Sequence, residues 1–330
     1  LNIKLSIVIV SYRTPELLLN CISSIKRETQ ELKYEIIVVD NAQDDGSKEL
    51  VYSTFTDIVW INSGYNAGFS RANNIGIRRA QGEYILLLNP DTEIKGSFLS
   101  DMILFYKQHD LDNKLGLLSC RIISLRDGSL LVGSGIGFYS WKNELKKNPV
   151  YIYLNRVLGI KTKKNYQPEK MHYTNHEIDF VSGACMLIKK SKIESERMLM
   201  DEDFFLYWED AEWSFRIKYA GFVNYFWGDA EVYHVNSAST EKTHTFNEQL
   251  FLSSWLFLLK TQSKYTYFLS KILFRFNYKI NTYLLKKASQ HKELQQQEKE
   301  AAIFFHYVKN QESGFSSITS SSNNYLNYAE

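Results

Sequence analysis

The chain has 330 residues, room for one to three domains, and its 44% hydrophobic and 23% charged content is that of a globular protein, not a disordered or fibrous one. Lys and Arg number 39 against 37 Asp and Glu, too even a balance to announce nucleic acid, and four prolines leave no room for a Pro-rich linker architecture. Cys21, Cys120 and Cys185 are far apart, odd in number and without a CxxC pair, which fits free thiols and argues against a zinc–cysteine site.

Four apolar runs open the chain, at residues 5–10, 36–39, 58–61 and 84–88. They are rich in β-branched residues and show no alternation, the pattern of strands covered on both faces of a parallel sheet. Between the first two, Thr14 as cap, Pro15 as first residue, and Leu18, Cys21, Ile22 and Ile25 on one face predict a helix. Residues 70–80 predict another. Fold class is therefore α/β, a doubly wound and mostly parallel sheet flanked by helices, with ligands bound beyond the carboxyl ends of the strands.

Those ends read Ser11-Tyr12-Arg13, Asp40-Asn41 and Asn89-Pro90-Asp91-Thr92. Neither a GxGxxG fingerprint nor a GxxxxGK[ST] loop follows the first strand, so dinucleotide and P-loop chemistry lose their weight. An acid at the end of strand two suits the imide N–H of uracil or thymine, and one after strand four suits a divalent cation set against a diphosphate. Taken singly, each reads more readily as a loop cap.

The residues Ser6–Tyr12, Ile37–Asn41, Asn66-Ala67-Gly68-Phe69 with Asn73-Asn74-Ile75-Gly76, and Leu88–Thr92, in this order and spacing, resemble glycosyltransferase family 2 with the GT-A fold. Among its branches they are most similar to the bacterial rhamnosyltransferase-like enzymes, over about residues 5–240. The resemblance implies a nucleotide-sugar site built from Ser11, Tyr12, Arg13, Asp40, Asn66, Gly68, Arg71, Asn74, Asn89 and Asp91, with Arg71 or Arg78 helping to stabilise the diphosphate.

Further on, Ser182-Gly183-Ala184 is a tight turn feeding an apolar strand, and residues 201–213 set six acids among bulky aromatics. Such acids at a helix start also serve to complement the helix dipole. The resemblance implies that Asp210 is the catalytic base, that Glu209 orients the acceptor, and that Ser182, Gly183, Ala184 and Trp208 lie on the acceptor side. Glu212 stands where related enzymes usually carry Asp, which leaves its role open. His234 falls where the family places a metal ligand, completing with Asp91 a site for Mg²⁺ or Mn²⁺, of which Mn²⁺ is the more tolerant of imidazole. One displacement with base assistance would invert the anomeric centre.

The expected division is 1–100 for the nucleotide-sugar half and 101–240 for the acceptor and catalytic half. A helical extension over 241–310 and a disordered tail over 311–330 follow. Residues 140–177, with eight Lys or Arg against three acids, are expected to form a loop over the acceptor side. No acid occurs between Glu248 and Glu293, while Phe268, Ile272, Phe276 and Ile280 recur every four residues among lysines. A basic, aromatic helix over 264–292 suits the surface of an anionic membrane, and it equally suits packing on the catalytic domain or in a homodimer. The longest apolar run, 250–259, is about half a membrane span, and no cleavable leader is visible. A cytoplasmic protein, peripheral at most on the inner face of the plasma membrane, is therefore expected. The expected partners are a nucleotide-diphosphate sugar, dTDP-L-rhamnose in preference, and a saccharide or lipid-linked saccharide acceptor, without nucleic acid. A UDP-hexose or UDP-N-acetylhexosamine donor, or a non-catalytic nucleotide-sugar-binding role, is the alternative.

Overall fold

In the computed structural model, which describes residues 3–42, 45–158, 171–235 and 247–322, the opening β-branched runs become parallel strands. These are β1 (Leu5–Ser11), β2 (Tyr34–Asp40), β3 (Val59–Asn62) and β4 (Tyr84–Leu88), lying side by side in the order β3-β2-β1-β4. Successive side chains of β1 enter opposite faces. Ile7 and Ile9 pack with Leu18, Cys21, Ile22 and Ile25 of α1 (Pro15–Glu28), while Val8 packs with Ala72 and Ile77 of α3 (Gly68–Arg79). Burial on both faces is the physical reason the run shows no alternation, and each such side chain contributes about 1.5–3 kcal/mol. The short helix α2 (Ser47–Tyr52) lies between β2 and β3.

Two details differ from expectation. β3 is the edge strand, so Val59, Trp60 and Ile61 are only half-buried. Thr14 precedes α1, with Pro15 at its first turn, but its side chain makes no capping hydrogen bond; only its carbonyl accepts, from the Leu18 N–H at 3.0 Å.

The sheet continues through β9 (Cys185–Lys189), β6 (Leu115–Ser124), β10 (Val223–His234) and β5 (Thr92–Glu93). Two short strands attach to it, β7 (Leu130–Leu131) on β6 and β8 (His176–Ile178) on β10. β9 runs antiparallel to β4 and β6, whereas β6 and β10 are parallel, so the sheet is mixed, and the expected parallel order holds for β3-β2-β1-β4. Helix α4 (Phe98–His109) adds Phe98, Met102 and Tyr106 to one core, and α7 (Glu209–Tyr219) adds Trp213 and Ile217 to the other. All three cysteines are buried free thiols.

The chain divides into two units, Leu1–Gly137 with Pro168–Thr243, and Phe138–Gln167 with His244–Glu330. The sheet belongs to the first. The second holds α5 (Trp141–Lys146), α6 (Pro149–Val157), α8 (Glu248–Thr261), α9 (Lys264–Lys287) and α10 (His291–Ser322). Its core is Trp255, Leu258, Tyr267 and Phe304. Part of the segment expected to be a loop is therefore helical. The Asn148 side chain caps α6 by accepting from the Val150 and Tyr151 N–H groups, and donates to Asn277 of α9 at 2.6 Å. Residues 159–170 lie outside the described residues. Helix α10 reaches into the stretch expected to be disordered, and residues 323–330 again lie outside. Among the described residues, no helix is long and apolar enough to cross a membrane.

Candidate active site

A cleft of about 610 Å³ opens within the first unit beyond the carboxyl ends of β1, β2 and β4, a volume in the usual range for a small-molecule site. Tyr12, Asn66, Gly68, Asn89 and Asp91 line it on the expected nucleotide side. Ser182, Gly183, Ala184, Glu209, Asp210 and His234 line it as well. Sequence positions from both halves of the expected transferase region thus share one cavity.

Asn41, to which the strand-end pattern assigns no role, lines the cleft and organises the loop before α3. Asn41 is almost fully buried; its amide donates to Asn66 Oδ1 at 3.1 Å and to the Gly68 carbonyl at 3.2 Å. Its oxygen accepts from the Ala67 N–H at 2.8 Å. Asp40, one residue earlier, is buried outside the cleft lining and accepts from the Ala42 N–H at 3.0 Å. Ser11 is buried beside it in strand register. Arg13 has a left-handed backbone, φ 55°, and stacks its guanidinium 5.3 Å from the Tyr12 ring.

Three predicted residues serve the neighbouring framework. Asn74 is buried and exchanges hydrogen bonds with the Met200 backbone at 2.9 and 3.0 Å, and it also donates to Glu202 at 3.0 Å. Arg71 lies 3.8 Å from Glu202, and Arg78 pairs with Glu196 and Glu202. None of Ser11, Arg13, Asp40, Arg71, Asn74, Arg78 or Trp208 is among the residues lining the cleft.

Gly68 is required by close approach. Its φ is 77°, and a Cβ there would sit 2.4 Å from the Phe205 carbonyl oxygen, which accepts from the Phe69 N–H at 2.7 Å. This contact fixes the segment before α7. Tyr207 and Trp208 then turn with φ 69° and 68°, a conformation costly for side chains of this size. The turn places Glu209 and Asp210 at the first turn of α7, where backbone N–H groups and the helix dipole favour an anion.

Asp210 uses that position fully. One carboxylate oxygen accepts from the Gly183 N–H at 2.9 Å, the other from the Ala211 N–H at 2.7 Å. Glu209 is buried, and its Oε2 has no hydrogen-bond partner among the described residues. Burial pushes both carboxyls up from their ordinary range, and for Glu209 the neighbouring Asp210 charge adds to the rise. The amide donors favour charge on Asp210 and oppose the rise that burial imposes there. Glu212 faces away from this chemistry. It holds Arg216 in a buried bidentate pair at 2.6 and 2.9 Å, and Arg216 also donates to the Arg197 and Leu199 carbonyls.

Asp91 and His234, distant in sequence, are joined by strand register. β5 pairs antiparallel with β10, placing His234 opposite Thr92, and the Val235 N–H donates to the Asp91 carbonyl at 2.8 Å. His234 Nε2 comes to 3.1 Å from Asp91 Oδ1. Adjacent ligands of an octahedral ion with bonds of about 2.1 Å lie about 3 Å apart, so the spacing fits a divalent cation, and the O/N donor set suits Mg²⁺ or Mn²⁺. No group of three or more His, Cys, Asp or Glu residues that could hold a metal occurs among the described residues. Among the described residues, Asp91 and His234 could contribute two ligands to such an ion.

Residues 6–196 match the description Glycosyl transferase family 2. The chain belongs to that family. It is 30% identical to the low-salt glycan biosynthesis hexosyltransferase Agl10 of Haloferax volcanii, over 65% of this chain and 61% of that protein. It is 23% identical to an N-acetylglucosaminyl-diphospho-decaprenol L-rhamnosyltransferase of Mycobacterium tuberculosis, over 72% of this chain and 77% of that protein. The chain spans less than two thirds of the first relatives it matches, 61%, 19% and 27% of their lengths. Among solved structures it resembles GalNAc-T7 with UDP, GalNAc and Mn²⁺, with a TM-score of 0.56 at 15% identity, over 80% of this chain and 49% of that one. That likeness shows the GT-A fold.

Proposed function

We propose that this chain is an inverting, metal-assisted glycosyltransferase that moves a sugar from a nucleotide-diphosphate donor to a hydroxyl of a bacterial lipid-linked or cell-surface saccharide. The observation that carries the reading is the sharing of one cleft by the Asp210 carboxylate and the Asp91–His234 pair. An alcohol is a weak nucleophile at neutral pH, so its proton must leave as the new bond forms. Asp210, ionised and held by two backbone amides, is placed to accept that proton at a carboxylate oxygen. Glu209, whose buried Oε2 has no partner among the described residues, orients the acceptor. Asp91 and His234 would hold a divalent ion, which supplies positive charge against the departing diphosphate. Asn41 keeps Asn66, Ala67 and Gly68 in place around the donor. A single displacement inverts the anomeric carbon and needs no covalent intermediate on the protein.

For the donor we favour dTDP-L-rhamnose, by likeness to the L-rhamnosyltransferase of Mycobacterium tuberculosis and to the dTDP-rhamnosyl transferase RfbF of Shigella flexneri. A UDP-hexose or UDP-N-acetylhexosamine is the second reading, favoured by the hexosyltransferase relative and by the UDP and GalNAc of the solved neighbour. The deciding test is nucleotide release and product stereochemistry over a panel of dTDP-, UDP- and GDP-sugars with Mg²⁺ or Mn²⁺ present. Turnover with an inverted product supports the reading. No turnover on any donor, with nucleotide binding intact, would leave a non-catalytic binding protein.

A further inference from the structure

Helix α9 of the second unit has two faces of opposite character. Tyr267, Ser270 and Asn277 are buried, Tyr267 in the core with Trp255, Leu258 and Phe304. On the other side Tyr265, Phe268, Ile272, Phe276 and Tyr283 are all exposed, from 45% for Ile272 to 75% for Tyr265. At 100° per residue these five fall within about 80° of arc, centred opposite the packed side. Exposed apolar residues scattered singly are ordinary, but a continuous stripe along a helix is not. Helix α6 of the same unit has no buried residue and exposes Val150, Ile152, Tyr153, Leu154 and Val157.

The charges beside the stripe select what covers it. Lys264, Arg275, Lys279, Lys286 and Lys287 are exposed on α9, and the helix carries no acid at all. Among the described residues none of these five makes an ion pair. A symmetric contact between two copies of such a face would set like charges against each other. An anionic bilayer instead takes aromatic rings at the level of its headgroups and basic side chains against its phosphates. No described helix is apolar enough to span, so the fit is to a helix lying in the surface.

We propose that the exposed face of α9 docks the protein on the anionic surface of a lipid bilayer. The proposal deepens the reading of the acceptor as lipid-linked, because docking brings the enzyme to the surface where such an acceptor resides. Its test does not depend on catalysis. The full chain is co-sedimented with vesicles of phosphatidylcholine alone or of an equimolar mixture with phosphatidylglycerol. Binding is expected to the mixed vesicles only and to weaken as salt is raised. The double substitution Lys279→Glu with Lys286→Glu is expected to lower vesicle affinity at least about tenfold, and Phe268→Ser with Phe276→Ser to lower it comparably. Both variants should retain the wild-type circular dichroism and nucleotide affinity, and for one that does not, the other decides. Equal binding to both vesicle types, no binding to either, or full binding by the charge-reversed variant would overturn the proposal. So would a solution dimer dissociated by the same substitutions, which would make this face an interface between copies. A chain that binds vesicles but releases no nucleotide from any donor refutes the transferase reading alone. An active chain indifferent to vesicles refutes this one alone.

Discussion

Replacing Asp210 by Asn tests the base assignment while keeping the shape of the side chain. The carboxylate accepts one backbone N–H at each oxygen, from Gly183 at 2.9 Å and from Ala211 at 2.7 Å. An amide has a single oxygen, so one of these N–H groups would face an NH₂ and lose its partner. That costs about 1–3 kcal/mol of stability, a shift measurable by denaturation and too small to unfold most domains. The chemical loss is of another kind, since Asn cannot take the acceptor's proton. Transfer should fall by roughly 10²–10⁴-fold, about 3–5 kcal/mol of barrier. Donor affinity, measured by calorimetry on the same preparation, should stay near that of the parent. The pH profile supplies an independent check. Burial raises the Asp210 carboxyl above its ordinary range, so the active ionised form is gained as pH rises and transfer should show an acid limb displaced upward from that range. The variant should lose that limb. Near-normal transfer would refute the assignment and make Glu209 the candidate. Loss of donor affinity together with transfer would place Asp210 in the framework of the site instead of in its chemistry.

Asp91→Ala should nearly abolish transfer and any dependence of nucleotide affinity on Mn²⁺; full activity in EDTA would refute the metal reading. His234→Ala should give a milder form of that defect, partly restored by excess Mn²⁺ in the same assay. Glu212→Ala strips the buried Arg216 of its carboxylate and should cost about 3–5 kcal/mol in urea denaturation, softened by the Arg197 and Leu199 carbonyls that Arg216 still reaches. Gly68→Ala sets a Cβ 2.4 Å from the Phe205 oxygen at a φ of 77°. The backbone strain alone costs about 1–2 kcal/mol, and displacing Phe205 should lower both thermal stability and transfer; an unchanged melting temperature would contradict the close approach.

What the sequence made legible follows from what leaves a local trace. Strands covered on both faces leave unbroken β-branched runs, and a family's strand-end motifs survive as short strings, so the first four strands and eleven of the 23 residues lining the cleft could be named. Adjacency created by register leaves none. The pairing of β5 with β10 that brings Asp91 to His234 involves two residues of β5, too few to show a period, so only the family resemblance joins these two residues in the sequence. The role of Asn41 is not legible beside Asp40, because neighbouring strand-end residues face opposite ways and the sequence does not say which one faces the cleft. Within 140–177 the sequence does carry a helix signal, since Asn148 before Pro149 is a cap followed by a first-turn proline.

The turn at Tyr207 and Trp208 shows why a site can be invisible at the very residues that aim it. Glycine is the usual residue at positive φ, and two bulky aromatics in succession announce nothing of the kind. Each costs about 1–2 kcal/mol in that conformation, so the turn persists only because the chain on both sides of it is held. Before it, the Phe205 carbonyl takes the Phe69 N–H at the start of α3. After it, the buried Trp213 indole donates to the Met198 carbonyl at 2.7 Å. With both ends fixed, α7 can begin only where it does, and Asp210 meets the Gly183 N–H. The strain thus lies directly beside the two carboxyls, while the contacts that offset it lie several residues away. Relaxing either anchor should therefore disturb transfer before it disturbs the sheet.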